Sequence, residues 1–258
     1  AAAPAARGAT WLGMISAGPR LAEHCAVPTA DGAAVLAFGG VVQNGKIDDE
    51  GTCDVWRYTF AANAWELLYN CTKEKTSTWA RPYARRGPMC ASHANGGLYV
   101  FGGRDEVGTW GSAFDSSDVY WPQNNTWERL RTMGGEDRAF GSAVNYLDTT
   151  IVIYGGADDY GAAVDSLSIY RVATDSWSEV PSLAGVGPGA RKLHTAAVLD
   201  NYMFIFGGVD QNGIMHNDVF RFDLNQKVWA PSTALALPGA TPSYRRAAYA
   251  ALVNAPRP

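Results

Sequence analysis

An apolar run that ends in two glycines occurs four times in this chain of 258 residues. The copies are VLAFGG (35–40), LYVFGG (98–103), IVIYGG (151–156) and MFIFGG (203–208), and their second glycines lie 63, 53 and 52 residues apart. A tryptophan follows each pair, at Trp65, Trp127, Trp177 and Trp229, with spacings of 62, 50 and 52 residues. Two independent markers share one period, so the chain is predicted to repeat one structural unit.

Each unit contains four segments with the apolar content and length of short strands. In the first unit these are strand a (near 21–27), strand b (33–38), strand c (54–58) and strand d (64–68). Tight turns such as Ala30-Asp31-Gly32 join the hairpins. A four-stranded unit of this kind buries its faces only against neighbouring units, so the pattern predicts an all-β propeller.

The motif resembles the kelch repeat, with a double glycine after strand b, an aromatic residue in strand c and a strand-d tryptophan. Tyr58 precedes Trp65 by seven residues, as that repeat requires. The resemblance covers nearly the whole chain and implies a β-propeller of kelch-type four-stranded blades, most often serving protein–protein interaction.

Four complete blades are predicted at about 20–69, 86–131, 138–181 and 191–231. Segments 10–15 and 245–253 resemble single strands of a fifth, incomplete blade at the two ends. The 258 residues are therefore expected to form a single propeller domain, or a segment of one, within a longer polypeptide.

Composition argues against several function classes. The chain has 21 Lys and Arg against 25 Asp and Glu, and a net charge of −4 offers no general attraction to nucleic acid. No apolar run approaches the ~18 residues of a membrane span, so direct membrane insertion is not expected. Because no phosphate-binding loop or Gly-x-Ser-x-Gly elbow occurs, we predict a non-catalytic module without cofactor that binds or scaffolds a protein partner.

Antiparallel strand order places the b–c and d–a loops on one side of the propeller, here called the loop face. Its long loops include residues 41–53, 69–85, 104–117 and 157–165. Insertions on one face of a repeat protein commonly mark its binding surface. Aromatic residues outside the repeat pattern are the predicted partner-binding residues: Trp79, Tyr83, Trp110, Phe114 and Tyr160. The alternative is that these rings cover their own loops.

Arginines at the start of strand a are predicted to form a ring on the same face. The predicted partner-binding members are Arg86, Arg138 and Arg191, with Arg20 and Arg245 or Arg246 completing the series. Guanidinium groups suit carboxylates and phosphates. Acidic clusters share these loops: Asp48-Asp49-Glu50, Asp105-Glu106, Glu136-Asp137 and Asp158-Asp159. Internal pairing of the arginines with these clusters is therefore the favoured interpretation, and recognition of an acidic peptide is the alternative.

The four cysteines divide into two pairs. Counting outward from the turn near Asn63 places Cys53 opposite Cys71, which predicts a disulfide. Cys25 and Cys90 lie on strand a of adjacent blades, where we expect too large a separation for a bridge and therefore two buried thiols. Cys-x-x-Cys spacing is absent from the sequence, so no zinc site is predicted.

A disulfide implies an oxidising compartment, so an extracellular or cell-surface location is predicted, with the cytoplasm as the alternative. Two Asn-x-Thr sequons support the extracellular location and predict glycosylation at Asn70 and Asn124.

The alternative function is a copper- or iron-dependent propeller enzyme of the galactose-oxidase-like type. Such copper propellers use two tyrosines, two histidines and a cysteine crosslinked to tyrosine, and here His24 and His194 fall near equivalent positions of blades one and four. The iron pattern Glu-x-x-x-Asp-x-x-x-His of nitrile-forming kelch proteins is matched by Glu50 and Asp54, but Tyr58 replaces the histidine. Both matches are partial, so the binding module is favoured.

Overall fold

The computed structural model describes residues 18–42, 51–71, 82–105, 112–132, 137–181 and 187–230. These residues form eighteen β-strands and one 3₁₀ turn at Val172–Thr174. Sixteen of the strands build four antiparallel sheets of four strands each, in which the chain runs stepwise from the first strand of a sheet to the last. The described part of the chain is therefore almost entirely β-structure.

The four sheets correspond to the predicted blades. Blade one spans β1 (Leu21–Ala22), β2 (Cys25–Pro28), β3 (Ala34–Phe38), β4 (Val41–Val42), β5 (Val55–Thr59) and β6 (Ala64–Tyr69), with sheet order β2-β3-β5-β6 and a separate β1–β4 pair. Blade two contains β7 (Met89–Ser92), β8 (Leu98–Phe101), β9 (Ser117–Trp121) and β10 (Thr126–Arg129). Blade three contains β11 (Ser142–Tyr146), β12 (Thr150–Tyr154), β13 (Leu167–Arg171) and β14 (Ser176–Val180). Blade four contains β15 (Thr195–Leu199), β16 (Tyr202–Phe206), β17 (Val219–Asp223) and β18 (Val228–Trp229).

The first strands of successive blades lie side by side. Strand β2 contacts β7, β7 contacts β11, and β11 contacts β15. Backbone hydrogen bonds of 2.8 Å follow the same path, from Gly87 N to Glu23 O, from Phe140 N to Gly87 O and from Leu193 N to Phe140 O. This arrangement confirms the predicted β-propeller of four-stranded blades. The predicted fifth, incomplete blade at 10–15 and 245–253 lies outside the described residues.

The double glycines join each blade to the next. Gly102 and Gly103 have φ angles of 57° and 93°, and a Cβ on Gly102 would lie 2.1 Å from the carbonyl oxygen of Arg138. Only glycine adopts this conformation at such a close approach without strain. The amide of Gly103 donates to the same carbonyl, and Gly40 and Gly156 make the equivalent bonds to Arg85 and Arg191. The most constrained residues of the repeat therefore lie at the blade junctions.

The repeated tryptophans also fill the blade junctions. The rings of Trp127, Trp177 and Trp229 each pack on the last aromatic residue of strand b in the preceding blade. The ring centroids of Phe38–Trp127, Phe101–Trp177 and Tyr154–Trp229 lie 5.2, 5.4 and 5.1 Å apart. Large aromatic surfaces are thereby removed from water between neighbouring sheets. The period of the tryptophans is thus the period of the inter-blade core.

Two disulfides link the four cysteines. The Cys53–Cys71 bridge confirms the prediction, and its Cα atoms lie 5.2 Å apart because both residues extend the β5–β6 hairpin by two positions beyond the Val55–Tyr69 pair. The prediction that Cys25 and Cys90 remain thiols was wrong, since these residues form the second bridge with a Cα separation of 5.8 Å.

The register of strand a explains the second bridge. Cys25 pairs with Phe38, whereas the residue that pairs with the equivalent Phe101 is Met89 and not Cys90. Cys90 is therefore one residue further along its strand, and successive side chains of a strand point to opposite faces. Cys25 and Cys90 consequently lie in the same core cluster between blades one and two, whereas Met89 lies in the cluster between blades two and three.

Candidate interaction face

Each b–c loop is anchored at its base by an extension of the blade beyond the double glycine. In blade three, isolated bridges join Ala139 to Ala157 and Ala157 to Ala163. The equivalent bridges are Arg86–Arg104–Ala113 in blade two and Lys192–Val209–Met215 in blade four. The loops therefore leave the sheets from defined positions on the loop face.

An aspartate side chain closes the turn at the tip of the b–c loop in blades three and four. Asp158 Oδ1 accepts hydrogen bonds from the amides of Tyr160 (2.9 Å) and Ala162 (2.8 Å). Asp210 Oδ1 accepts from Asn212 (2.8 Å) and Ile214 (2.9 Å) in the same pattern. An aspartate two residues after the glycine pair thus closes the same turn in blades three and four, because its carboxylate substitutes for a backbone acceptor.

Neighbouring blades hold the loop of blade three from both sides. On one side, the amide of Ala113 donates to Asp159 Oδ1 at 2.6 Å and Arg104 donates to the Asp159 carbonyl at 3.3 Å. On the other, Lys192 Nζ donates to the Gly161 carbonyl at 2.6 Å. Tyr160 lies between these contacts with 84% of its surface exposed. The ring is therefore presented to solvent by a fixed backbone.

Blade two presents an aromatic pair beside that loop. The ring of Tyr83 stacks on Phe114, with centroids 6.0 Å apart and planes at 16°. The guanidinium of Arg85 lies 4.9 Å from the Phe114 centroid and donates to the Tyr83 carbonyl. Tyr83 is 59% exposed, while Phe114 is half-buried. The buried arginine thus supports a stacked pair whose outer ring faces solvent.

Blade four extends this exposed apolar surface. Ile214 and Met215 are 56% and 44% exposed and follow the turn closed by Asp210. Met215 bridges to Val209, which bridges to Lys192, the residue that binds the blade-three loop. We call five residues on the loop face of these three blades the loop-face stripe: Tyr83, Phe114, Tyr160, Ile214 and Met215.

Sequence reasoning identified the first three residues of the loop-face stripe and missed Ile214 and Met215. The available signal was the aspartate in GGAD and GGVD (155–158 and 207–210), which aligns the blade-three and blade-four turns. That alignment places an apolar pair at the loop face. Trp79 and Trp110, also predicted to bind a partner, lie outside the described residues.

Burial corrects the prediction for two of the arginines. Arg138 and Arg191 are only 1% and 2% exposed, so they do not line the loop-face surface. Arg138 donates to Ser166 and Ser168, and Arg191 donates to the Gly207 carbonyl and to Asp218. Their guanidinium groups tie strand a to strand c within a blade, which is a structural role.

The equivalent arginine of blade two is Arg85, not the predicted Arg86. Arg85 is fully buried, donates to the Gly102 carbonyl at 2.8 Å and pairs with Asp118. Burial lowers the pKa of Arg85 to about 10, and the charge of Asp118 opposes this shift. Arg86 is 38% exposed and pairs with Glu23 of blade one.

The predicted acidic clusters are not the charge partners of Arg85 and Arg191, which pair with Asp118 in strand c of blade two and with Asp218 just before strand c of blade four. Asp137 lies close to other carboxylates: burial raises its pKa, and the charges of Asp159 and Asp115 raise it further. The predicted internal pairing is therefore replaced in these blades by pairs within the sheet. Asp48-Asp49-Glu50, Glu106 and Glu136 lie outside the described residues.

The two equivalent histidines, His24 and His194, each immediately precede strand a. His194 is 5% exposed, and its Nε2 lies 2.9 Å from Ser142 Oγ of blade three. Burial lowers the pKa of His194 to about 3, and the nearby Arg191 lowers it further. Burial also lowers the pKa of His24. His194 is therefore neutral at pH 7 and joins two blades by a hydrogen bond.

Lowering the pH from 7 to 5 is expected to reduce the free energy of unfolding by about 2 kcal/mol through His194 alone. The folded-state pKa lies below the unfolded value of 6.5, so stability is lost as the unfolded chain takes up a proton below that value. Urea unfolding at both pH values measures the effect. His194→Gln is the control, since it should remove this increment, and an unchanged pH dependence in that variant would contradict the assignment.

The described residues of the partial iron pattern, Asp54 and Tyr58, make hydrogen bonds within blade one. Asp54 Oδ1 accepts the Cys71 amide at 2.7 Å, and the Tyr58 hydroxyl donates to Asn63. Glu50 lies outside the described residues. Among the residues that the structure does describe, His, Cys, Asp and Glu side chains form no group of three or more that could hold a metal ion. The same residues include no helix with the length and hydropathy needed to cross a bilayer.

Comparison with known proteins agrees with this fold. A family model described as the Attractin/LZTR1 beta-propeller matches residues 14–255. The chain belongs to this family. Among individual relatives of this propeller, multiple epidermal growth factor-like domains protein 8 of Mus musculus is 26% identical over 252 residues, which cover 92% of the chain and 9% of the mouse protein.

Two further relatives carry the kelch connection. Host cell factor 1 of Rattus norvegicus is 30% identical over 205 residues, covering 69% of the chain and 9% of that protein. Kelch domain-containing protein 3 of Rattus norvegicus is 35% identical over 91 residues, covering 35% of the chain and 24% of that protein. The kelch-type identification from the sequence is thus confirmed. The chain spans less than a quarter of the length of each of these relatives.

Proposed function

We propose that this propeller is a protein-interaction module that binds its partner through the loop face. The observation that carries the proposal is the loop-face stripe, in which both neighbouring blades hold the loop of the exposed Tyr160. The exposed Tyr83 and Ile214 are held within their own blades, by Arg85 and Asp210. Tyrosine and large apolar side chains on a rigid support are typical anchors of protein interfaces, because little conformational entropy is lost on binding. Arg86, Trp79 and Trp110 remain predicted partner-binding residues.

We also propose that the module is one domain of a larger extracellular or surface protein. Two disulfides support an oxidising compartment. The match to multiple epidermal growth factor-like domains protein 8 supports a larger parent protein, since the matched region is 9% of that relative. The predicted domain limits of 1–258 and the incomplete fifth blade belong to this proposal.

The two predicted glycosylation sites differ in their surroundings. Asn124 is exposed at the turn between strands c and d of blade two, and Thr126 Oγ1 donates to its side-chain oxygen at 2.7 Å. Asn70 is half-buried beside the Cys53–Cys71 bridge. The exposed turn supports Asn124 as the better acceptor. A glycan there would be attached to a c–d turn and not to a b–c loop of the loop face.

The non-catalytic assignment stays a prediction. The structure gives the residues of the partial metal patterns other roles: His194 bonds Ser142, Asp54 bonds the Cys71 amide and Tyr58 bonds Asn63. Metal analysis of the purified protein tests the assignment. Stoichiometric copper or iron would support the alternative propeller enzyme.

Affinity capture from the source tissue tests the interaction face. The wild-type protein is compared with Tyr83→Ala/Tyr160→Ala, which alters the loop face, and with Phe60→Ala/Leu199→Ala, which alters two exposed residues of the opposite turns. We expect a defined partner to be lost only from the loop-face variant, by about tenfold or more, because interface anchors carry most of the binding free energy.

Thermal unfolding of the three proteins is the accompanying control. The four substituted side chains are all more than half exposed, so the melting temperatures should agree closely. Loss of the partner from the opposite-face variant, or equal retention by both variants, would overturn the proposed face.

A further inference from the structure

We propose that the segment bound at the loop-face stripe is a cationic peptide, in which Lys or Arg residues alternate with apolar ones. This inference rests on the proposed function and adds the chemistry of the partner. Its two observations are the exposed apolar surface of the loop-face stripe and the charge of the loops that carry it.

The exposed rings suit such a segment directly. Tyr160 and Tyr83 are 84% and 59% exposed, and a tyrosine face attracts an ammonium or guanidinium group. Ile214 and Met215 offer apolar surface at the blade-four end of the loop-face stripe. Lys and Arg bury their aliphatic stems on such surface while their charged ends reach neighbouring carboxylates. Both parts of a cationic side chain therefore find a complementary group.

The charge of the surrounding loops selects the sign of the partner. The described part of the b–c loop comprises residues 104–105 and 112–116 in blade two. It comprises residues 157–166 in blade three and 209–218 in blade four. These segments carry two, three and two aspartates, of which Asp218 is paired with the buried Arg191, whereas Arg104 is the one Lys or Arg within the segments. Charge complementarity between facing surfaces sets specificity and the association rate. An acidic segment would meet like charge at the loop carboxylates that outnumber Arg104 and Lys192 on this face.

The predicted ring of exposed arginines was the main reason to expect an acidic partner, and the structure shows that three of these arginine positions are buried. Arg85, Arg138 and Arg191 are at most 2% exposed and donate to groups inside their own blades. These three guanidinium groups therefore interact with acceptors inside the protein and add no positive charge to the loop-face surface. Asp137, in contrast, lies beside Asp115 and Asp159, where the raised pKa of Asp137 reflects both burial and the neighbouring negative charges.

Two synthetic peptides test the inference against the purified chain. One alternates Lys and Leu, and the other is the same peptide with Glu in place of Lys. We expect the Lys/Leu peptide to bind and the Glu/Leu peptide not to bind, as measured by fluorescence anisotropy. The affinity for the Lys/Leu peptide should fall about tenfold between roughly 0.05 M and roughly 0.5 M salt, because screening weakens surface charge interactions.

Single variants locate the binding. Tyr160→Ala and Tyr83→Ala should each weaken the Lys/Leu peptide about threefold or more, since each removes a cation–π face. Phe60→Ala and Leu199→Ala, on the opposite turns, should leave it unchanged. If Tyr83→Ala and Tyr160→Ala bind the Lys/Leu peptide with wild-type affinity, the binding is non-specific charge attraction and the inference is overturned.

The remaining outcomes separate the two proposals. Preference for the Glu/Leu peptide, or no binding of either peptide, overturns the cationic partner. If the loop-face variant still loses its partner in affinity capture, the proposed function survives that result. If capture is also independent of the loop face, both proposals fail.

Discussion

Trp177→Ala is expected to lower the free energy of unfolding by about 3–5 kcal/mol, the range for removing a large aromatic side chain from a core. The indole packs on Tyr170 of its own blade at 5.0 Å and on Phe101 of blade two at 5.4 Å. Its Nε1 also donates to the Arg131 carbonyl at 2.9 Å. The substitution therefore opens a cavity between two blades and removes a hydrogen bond that joins them. Urea unfolding at pH 7 measures the loss.

Tyr160→Ala is the matched control for Trp177→Ala. Its ring is 84% exposed, so its removal should change the free energy of unfolding by no more than about 0.5 kcal/mol. Trp177→Phe should recover part of the loss because it refills part of the cavity. Equal destabilisation by Trp177→Ala and Tyr160→Ala would show that the stripe residue is part of the core and would contradict its assignment to the surface.

Arg85→Ala is expected to cost about 3 kcal/mol of unfolding free energy. The guanidinium is fully buried and donates to the Gly102 carbonyl at 2.8 Å, to Ser116 Oγ at 2.9 Å and to Asp118. Removing it strands these acceptors in a site that water does not reach. The loss stays near the lower end for buried ion pairs because Arg129 still pairs with Asp118 at 2.6 Å.

Arg86→Ala is the control next to it in the chain. Arg86 pairs with Glu23, and both side chains are about one-third exposed, at 38% and 33%. Exposed ion pairs contribute at most about 1 kcal/mol, so this variant should unfold close to wild type. If Arg86→Ala is the more destabilising of the two, the structural arginine of blade two has been placed one residue off.

The fold was predictable because the double glycine and the strand-d tryptophan recur in every blade, each for the same structural reason. The double glycine is needed wherever the chain takes a positive φ against the next blade, as Gly102 does beside the Arg138 carbonyl. The tryptophan is needed wherever an inter-blade core must be filled, as Trp229 does beside Tyr154. Each requirement is met by one residue type, so it is visible in the sequence without a structure.

Two of the errors share one cause, which is a shift of a single residue. Arg85 and Arg86 are adjacent and chemically identical, yet the first is buried and the second pairs at the surface. Cys25 and Cys90 both lie on strand a, yet the strand register aligns Met89 and not Cys90 with Cys25. Alternate residues of a strand face opposite sides. A shift of one position therefore decides whether a cysteine is a thiol or part of a disulfide. It also decides whether an arginine is buried or forms an ion pair at the surface.

The sequence by itself determined the propeller, its blade period, the Cys53–Cys71 bridge and the side on which the long loops gather. Only the tertiary structure decided which arginines are buried, that Cys25 meets Cys90, and that Ile214 and Met215 are exposed on the blade-four loop. The physical reason is that every blade junction requires the same glycines and the same aromatic packing, so these residues recur with the blade period. The burial of one arginine or the meeting of two cysteines depends on strand register and on contacts that differ from blade to blade.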